Sequence, residues 1–296
     1  MFKYYSHNGV VPTLENRTLQ FSAPASFNDP FDAHLDELFG MDPKDFVQEL
    51  QAAFVDFMLG DVDYAALRTG PRGEQIIRSH KALTSSSAEQ REKYRRQSID
   101  DNVNSFIDIE YIEKQNQYVV NYLRKTLDRY GIFCASRRRD QLLMWSHYAE
   151  QHRGFVLEFT PNIEKDSPLT LIRPVTYTTV RPLAYRTPAD MIKKSLTMSL
   201  LESTRSTVET LIYSKAKEWE YEEEERLYIP DFVKPGQTKS YLKFHPEELT
   251  SITIGCRTPD GKATEVEKLG RSVNPEVKIV RARMDSREYH LHFSDS

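Results

Sequence analysis

Near its start the chain alternates apolar and polar positions in short bursts. "FKYYS" and "TLQFSAP" follow the period of two that predicts strands, and turns fill the rest of the first 32 residues. In "FNDPFD", Asn28 and Asp29 precede Pro30, which is turn chemistry. From Pro43 the period becomes helical. Phe46, Leu50, Phe54 and Phe57 recur on one face, with Pro43 suited to a first helical position. After a polar linker, "RTGPRGE", the stretch from Ser85 to Tyr130 predicts one or two long helices opened by a serine cap. Ile99, Val103, Phe106, Tyr118, Tyr122 and Leu127 share its apolar face.

Beyond Gly131 the strand period returns. "IFCAS" and "GFVLEFT" bracket a helix, "DQLLMWSHYAEQHR", that Gly154 stops. "LIRPVTYT" is another strand, and "PADMIKKSLTMSLLESTRSTVETLIYSKAK" predicts one long helix from Pro188. In "WEYEEEERLYI", Leu227, Tyr228 and Ile229 read as the middle of a buried strand. Its alternation puts Glu222, Glu224 and Arg226 on one face and Tyr221, Glu223 and Glu225 on the other. "LTSITIGC", "VKIVRARM" and "EYHLHFS" add the last strands. The pattern implies an α+β protein with a mainly antiparallel sheet assembled from both ends of the chain. A helical insertion at about 42–130 interrupts what reads as a single domain over 1–296.

Charge removes some function classes. With 40 basic and 44 acidic residues the net charge of the 296-residue chain is −4, which gives no global attraction to nucleic acid or anionic membrane. No apolar leader or 18-residue apolar run is present, so a cytoplasmic protein without membrane contact is expected. Cys134 and Cys256 are isolated in strand-like segments and fit reduced, buried thiols. No metal is expected, since His147 and His152 in "HYAEQH" would splay by roughly 140° on a helix. The 11 glycines form neither a dinucleotide fingerprint nor a phosphate-cradling loop.

Four stretches concentrate chemistry, and each has a plainer reading beside it. A run of like charge is usually a solvated face, yet five glutamates flanked by Trp219 and an apolar strand put carboxylates against a core. Ser22, Asn28, Asp29 and Asp32 sit in a loop leaving a strand, as an Asx turn or as part of a site. Trp145, His147 and Tyr148 belong to a core helix or offer stacking and hydrogen-bond donors to a flat ligand. Arg137, Arg138 and Arg139 are solvated or meet phosphate, whereas Arg91, Lys93, Arg95 and Arg96 read as a solvated helix face.

In their order along the chain, "FKYYS", "LQFSAPASFNDPFD", "FCAS…LLMWSHYAEQHRGFVLEF", "WEYEEEERL" and "LKFHPEELTSITIG" resemble a bacterial family catalogued as domain of unknown function 2971. The resemblance covers both ends and the middle and leaves the helical insertion unmatched. It departs from the family at Phe2 and Tyr5, where the usual opening has Tyr and Arg. More remotely, the layout is similar to that of ADP-ribosyltransferases, in which a split antiparallel sheet binds NAD and a late-strand glutamate is essential. That likeness implies Glu224 as the essential glutamate, with Glu222 orienting or deprotonating the acceptor. It also implies an NAD site drawn from Lys3, Tyr4, Ser22, Asn28, Trp145, His147, Tyr148 and Arg226. Tyr4 or Trp145 would stack on nicotinamide, and Lys3, Arg226 or an arginine of "SRRRD" would hold the pyrophosphate. The expected function is ADP-ribosyl transfer from NAD to nucleic acid or protein by a toxin or anti-phage effector, with an antitoxin or regulatory protein as a further partner. An NAD glycohydrolase differs only in using water as acceptor. A non-catalytic ligand-binding module, with Glu222–Arg226 as a structural ion-pair ladder, is the reading from another class.

Overall fold

A computed structural model describes residues 1–35, 38–67, 71–100 and 109–295 of the chain. Val103 and Phe106, expected on a helix face, lie outside the described residues. Contacts divide the chain into two compact units: Met1–Ala33, Thr126–Arg181 and Ile212–Ser296 form one, and His34–Lys125 with Pro182–Leu211 form the other. The helical stretch read at 42–130 thus supplies most of the second unit, which also draws on a segment from much later in the chain.

The first unit is built on an open, mostly antiparallel sheet. Its strands are β1 (Phe2–Tyr5), β2 (Thr18–Ser22), β3 (Gly131–Ser136), β4 (Phe155–Phe159), β5 (Arg173–Pro174), β8 (Glu224–Ile229), β9 (Lys239–Lys243), β10 (Leu249–Ile254), β11 (Lys278–Met284) and β12 (Leu291–Asp295). They run in the order β12-β11-β10-β4-β1-β3-β2-β9, with β8 and then β5 on β3. Among the described residues of this sheet only β10 and β11 pair in parallel, and α9 (Asp260–Val273), left unassigned by the sequence pattern, makes the crossover such a pair requires. A separate small parallel sheet joins β6 (Thr176–Thr178) to β7 (Ser214–Ala216).

Strand alternation sends successive side chains to two cores. Tyr5, Phe155, Leu157 and Ile252 join the larger core, whereas Tyr4 and Val156 join α6 (Leu142–Tyr148) through Met144 and Trp145 on the opposite face. The reading of the first 32 residues as strands and turns alone is corrected by α1 (His7–Asn16), which buries Val10, Thr13 and Leu14. Gly9 and Pro12 hide this helix from a sequence reading, at costs of about 1 and 3 kcal/mol relative to alanine. Burying Val10 and Leu14, each contributing about 1.5–3 kcal/mol, is of the same size and offsets them.

The second unit is helical. Its α2 (Pro43–Leu59) packs on α3 (Pro71–Thr84), α4 (Ala88–Asp100) and α7 (Pro188–Thr197). The long helix expected from Pro188 is two helices, α7 and α8 (Leu200–Ile212), because Met198 takes an extended conformation. In α5 (Ile109–Leu127) the buried stripe is Val120, Leu123 and Leu127, while Tyr118 and Tyr122, expected on that face, are exposed. Their ring and hydroxyl suit a half-wet position.

Candidate active site

The site lies where the sheet of the first unit divides. β8 pairs with β3 along its whole length, from Gly131↔Ile229 to Ser136↔Glu224. At the other edge β1 and β2 each meet β3 at a single registered pair, Phe2↔Ser136 and Ser22↔Ile132. Lys3 on β1 reaches across, its Nζ donating to the Cys134 carbonyl at 2.5 Å. A cavity of about 110 Å³ opens here.

Its floor is a buried ionic cluster. Residues Lys217–Glu222 form a 3₁₀ turn, Glu223 adopts φ 42°, and β8 begins only at Glu224. The expectation that strand alternation puts Glu222 on one face with Glu224 and Arg226 is therefore corrected. Hydrogen bonds from β3 and the loop after it fix the turn. Ser136 Oγ donates to the Glu222 carbonyl at 2.6 Å, the Arg137 amide donates to the Glu223 carbonyl at 3.0 Å, and Arg138 Nη1 meets the Glu223 carboxylate at 3.3 Å. The left-handed residue throws Glu223 outward and lets Glu222 and Glu224 converge.

Lys215 on β7 sits between those two carboxylates, with Nζ 2.5 Å from Glu222 Oε2 and 2.7 Å from Glu224 Oε2. Arg226 grips Glu224 through Nε at 2.8 Å and Nη2 at 3.0 Å. It also pairs two-point with Asp32, Nη1 at 2.8 Å and Nη2 at 2.5 Å, and donates to the Ile212 carbonyl at 2.7 Å. The Tyr148 hydroxyl donates to Glu222 Oε1 at 2.8 Å and accepts from Asn28 at 3.2 Å. The Tyr177 hydroxyl accepts from the Glu224 amide at 2.8 Å. Buried polar groups that meet partners in this way act as a preorganised unit.

Charge follows position. Burial alone would push the Glu224 carboxyl up, but Arg226 and then Lys215 outweigh it and hold it at about 2. For Asp32 burial wins over the pairing with Arg226, and its carboxyl lies above the usual range. Burial opposes the ammonium of Lys215, yet Glu224 and Glu222 together raise it well above an ordinary lysine. Burial and then the Glu222 charge keep the Tyr148 phenol protonated.

Seven of the residues expected in the site line this cavity: Lys3, Tyr4, Asn28, Tyr148, Glu222, Glu224 and Arg226. Three do not. Trp145 is fully buried, its indole N–H donating to the Arg139 carbonyl at 2.7 Å and its ring lying against Tyr4 and His152, so stacking on a ligand is closed to it. An apolar helix face claims the tryptophan because it is the largest surface available to bury. His147 points to solvent beside Tyr148, and Ser22 accepts from Gln20 at 3.2 Å at the end of β2. After α6, Glu150, Gln151 and His152 are all left-handed, with φ 49°, 55° and 68°. This turn is packed so tightly that a Cβ on Gly154 would lie 2.1 Å from the Tyr5 carbonyl.

Asp32 is singled out in its loop by the sequence but given no role, and Lys215 escapes it altogether. Lys215 stands in the tail of an expected helix, and nothing local ties it to glutamates beyond the next turn. Among the described residues no group of three or more His, Cys, Asp or Glu side chains is placed to hold a metal, and no helix is long and apolar enough to cross a membrane.

Residues 144–227 match the family described as "Protein of unknown function (DUF2971)". The resemblance to that family holds over this stretch, and the motifs read near the two ends of the chain lie outside it. The matched stretch runs from the middle of α6 into β8 and carries Tyr148, Lys215, Glu222, Glu224 and Arg226, the heart of the cluster. No curated protein and no solved structure shows significant similarity to the chain.

Proposed function

We propose that the chain is an NAD-consuming enzyme, an ADP-ribosyltransferase that passes ADP-ribose to a macromolecular acceptor. One arrangement carries the reading: two carboxylates bridged by one lysine face, with Tyr148, a cavity walled by Phe2, Tyr4 and Phe27 where an antiparallel sheet divides. Cleaving the nicotinamide–ribose bond sends the bonding pair to the departing ring nitrogen and leaves positive charge on the ribose. Nicotinamide leaves neutral, so departure needs no general acid. The demand falls on a fixed anion beside a flat, mostly apolar slot.

The two glutamates are unequally suited to that demand. Glu224 is gripped by Arg226 and Lys215, so its charge is already answered. Glu222 meets Lys215 and the Tyr148 hydroxyl. Glu222 therefore faces the ribosyl cation, and Glu224 holds Lys215 and Arg226 in place, an exchange of the roles that the remote likeness implies. The acceptor then bonds to C1′ and gives its proton to the Glu222 carboxylate.

A second reading, the structural ion-pair ladder, is favoured by the saturation of Arg226, whose five N–H groups are all engaged. Incubation with NAD labelled in its adenylate half, alone and with whole-cell lysate, separates the readings. Label passing to protease- or nuclease-sensitive material supports the transferase. Free nicotinamide without transfer supports the glycohydrolase, and neither product supports the ladder.

A further inference from the structure

Arg226 presents the paired Nη edge of its guanidinium to Asp32, a residue of the loop after β2. Nη1 and Nη2 donate side by side to the two oxygens of Asp32, while Nε, Glu224 and the Ile212 carbonyl fix the inner face of the guanidinium. Two parallel N–H groups on one edge fit a pair of phosphate oxygens as well as they fit a carboxylate. We propose that Asp32 occupies a phosphate site on Arg226, and that the loop 23–33 swings away when a diphosphate-bearing ligand takes its place.

The geometry of the loop is what such a device needs. It leaves β2 after Ser22 and returns over the cavity with turn residues Asn28, Asp29 and Pro30. Phe27 lies over the Arg226 guanidinium at 5.3 Å, and Asn28 holds Tyr148 by one hydrogen bond of 3.2 Å. Phe31, 59% exposed, lies under the Arg181 guanidinium at 4.9 Å. Asp29 is buried with Oδ2 unpartnered, a group that opening would return to water. Burial also raises the Asp32 carboxyl despite its pairing with Arg226, so the closed position is not the most comfortable one for this acid.

Size points the same way. The closed cavity of about 110 Å³ is well below the roughly 300–1,000 Å³ of pockets that take a cofactor-sized ligand. Displacing the loop would uncover Arg226 and release Tyr148 from Asn28 in one movement, exposing the anion site and the Glu222 end of the cluster together. The proposal rests on the reading of the site as one for NAD, and it names where the diphosphate would bind.

Inorganic pyrophosphate and ADP-ribose are the probes, because neither carries the nicotinamide bond and the test is independent of turnover. Titrated by calorimetry, pyrophosphate or ADP-ribose binds Asp32→Ala at least tenfold more tightly than wild type and raises its melting temperature, whereas acetate does not. Tighter binding of ADP-ribose than of pyrophosphate identifies a nucleotide-borne diphosphate, and the reverse a free one. Should Asp32→Ala fail to fold, hydrogen exchange on the wild type replaces it: either probe at millimolar concentration speeds amide exchange in 23–33. Acetate restoring Asp32→Ala as well as pyrophosphate does, or no binding together with unchanged exchange, overturns the proposal. Failure of nicotinamide release, by contrast, would sink the enzymatic reading and leave this result standing.

Discussion

Replacing Lys215 by methionine tests whether the cluster is one electrostatic unit. Methionine keeps the length and apolar stem of the side chain and removes the cation lying 2.5 and 2.7 Å from two carboxylates. The side chains of Lys215, Glu222 and Glu224 are 6%, 3% and 6% exposed, so water cannot make good the loss. Removing one partner of a buried pair costs about 3–5 kcal/mol, since a charge is left without compensation. At about 2–4 °C per kcal/mol for a unit of this size, the melting temperature falls by roughly 6–20 °C. The double variant Lys215→Met, Glu222→Gln removes a stranded charge as well and should regain at least half of the loss. Melting curves and urea titrations of wild type, both single variants and the double variant complete the cycle. A Lys215→Met protein melting within about 2 °C of wild type, or a double variant no more stable than Lys215→Met, would refute the reasoning.

Acid sensitivity follows from Glu224. Its carboxyl is held at about 2, below the roughly 4.3 of an unfolded glutamate, so its contribution is present above that value and lost as pH falls toward 2. The lowering corresponds to about 3 kcal/mol, and Glu224→Gln should flatten the decline of stability between pH 5 and 2 in urea titrations. An unchanged acid slope would contradict the pairing. Trp145→Ala empties a fully buried site and loses the bond to Arg139, costing about 3–5 kcal/mol, while NAD shifts the melting temperature of the folded variant as it does that of wild type. A normal melting temperature with a lost NAD response would restore the stacking role.

Local pattern carried most of the sheet. "FKYYS", "TLQFS", "IFCAS" and "FVLEF" are strands because their alternation matches the two cores that the sheet faces. The carboxylate pair was legible too, although for a partly wrong reason. Glu222 and Glu224 converge through a left-handed Glu223 and not through strand alternation, and that conformation is imposed by Ser136, Arg137 and Arg138 from another strand and its loop. Asp32 and Arg226 stand 194 residues apart, so their pairing leaves no local trace. Likewise α1 is invisible to propensity, because its stability comes from packing that Gly9 and Pro12 locally oppose.

Nicotinamide release from NAD by the wild type and by four folded variants, Glu222→Gln, Glu224→Gln, Glu223→Gln and Glu225→Gln, tests the central claim most directly. Glu223 makes only partly exposed contacts with Arg137 and Arg138, worth at most about 1 kcal/mol, so its variant and Glu225→Gln should retain wild-type rates and melting temperatures. Glu222→Gln should lose about 10²–10³ in rate while staying folded, because the amide keeps the shape but not the charge that faces the ribose. Glu224→Gln should lose activity together with stability, since Lys215 and Arg226 lose their anchor. Equal nicotinamide release by all four folded variants, or none by the wild type, would contradict an enzymatic role for the cluster and leave it a buried ion-pair ladder.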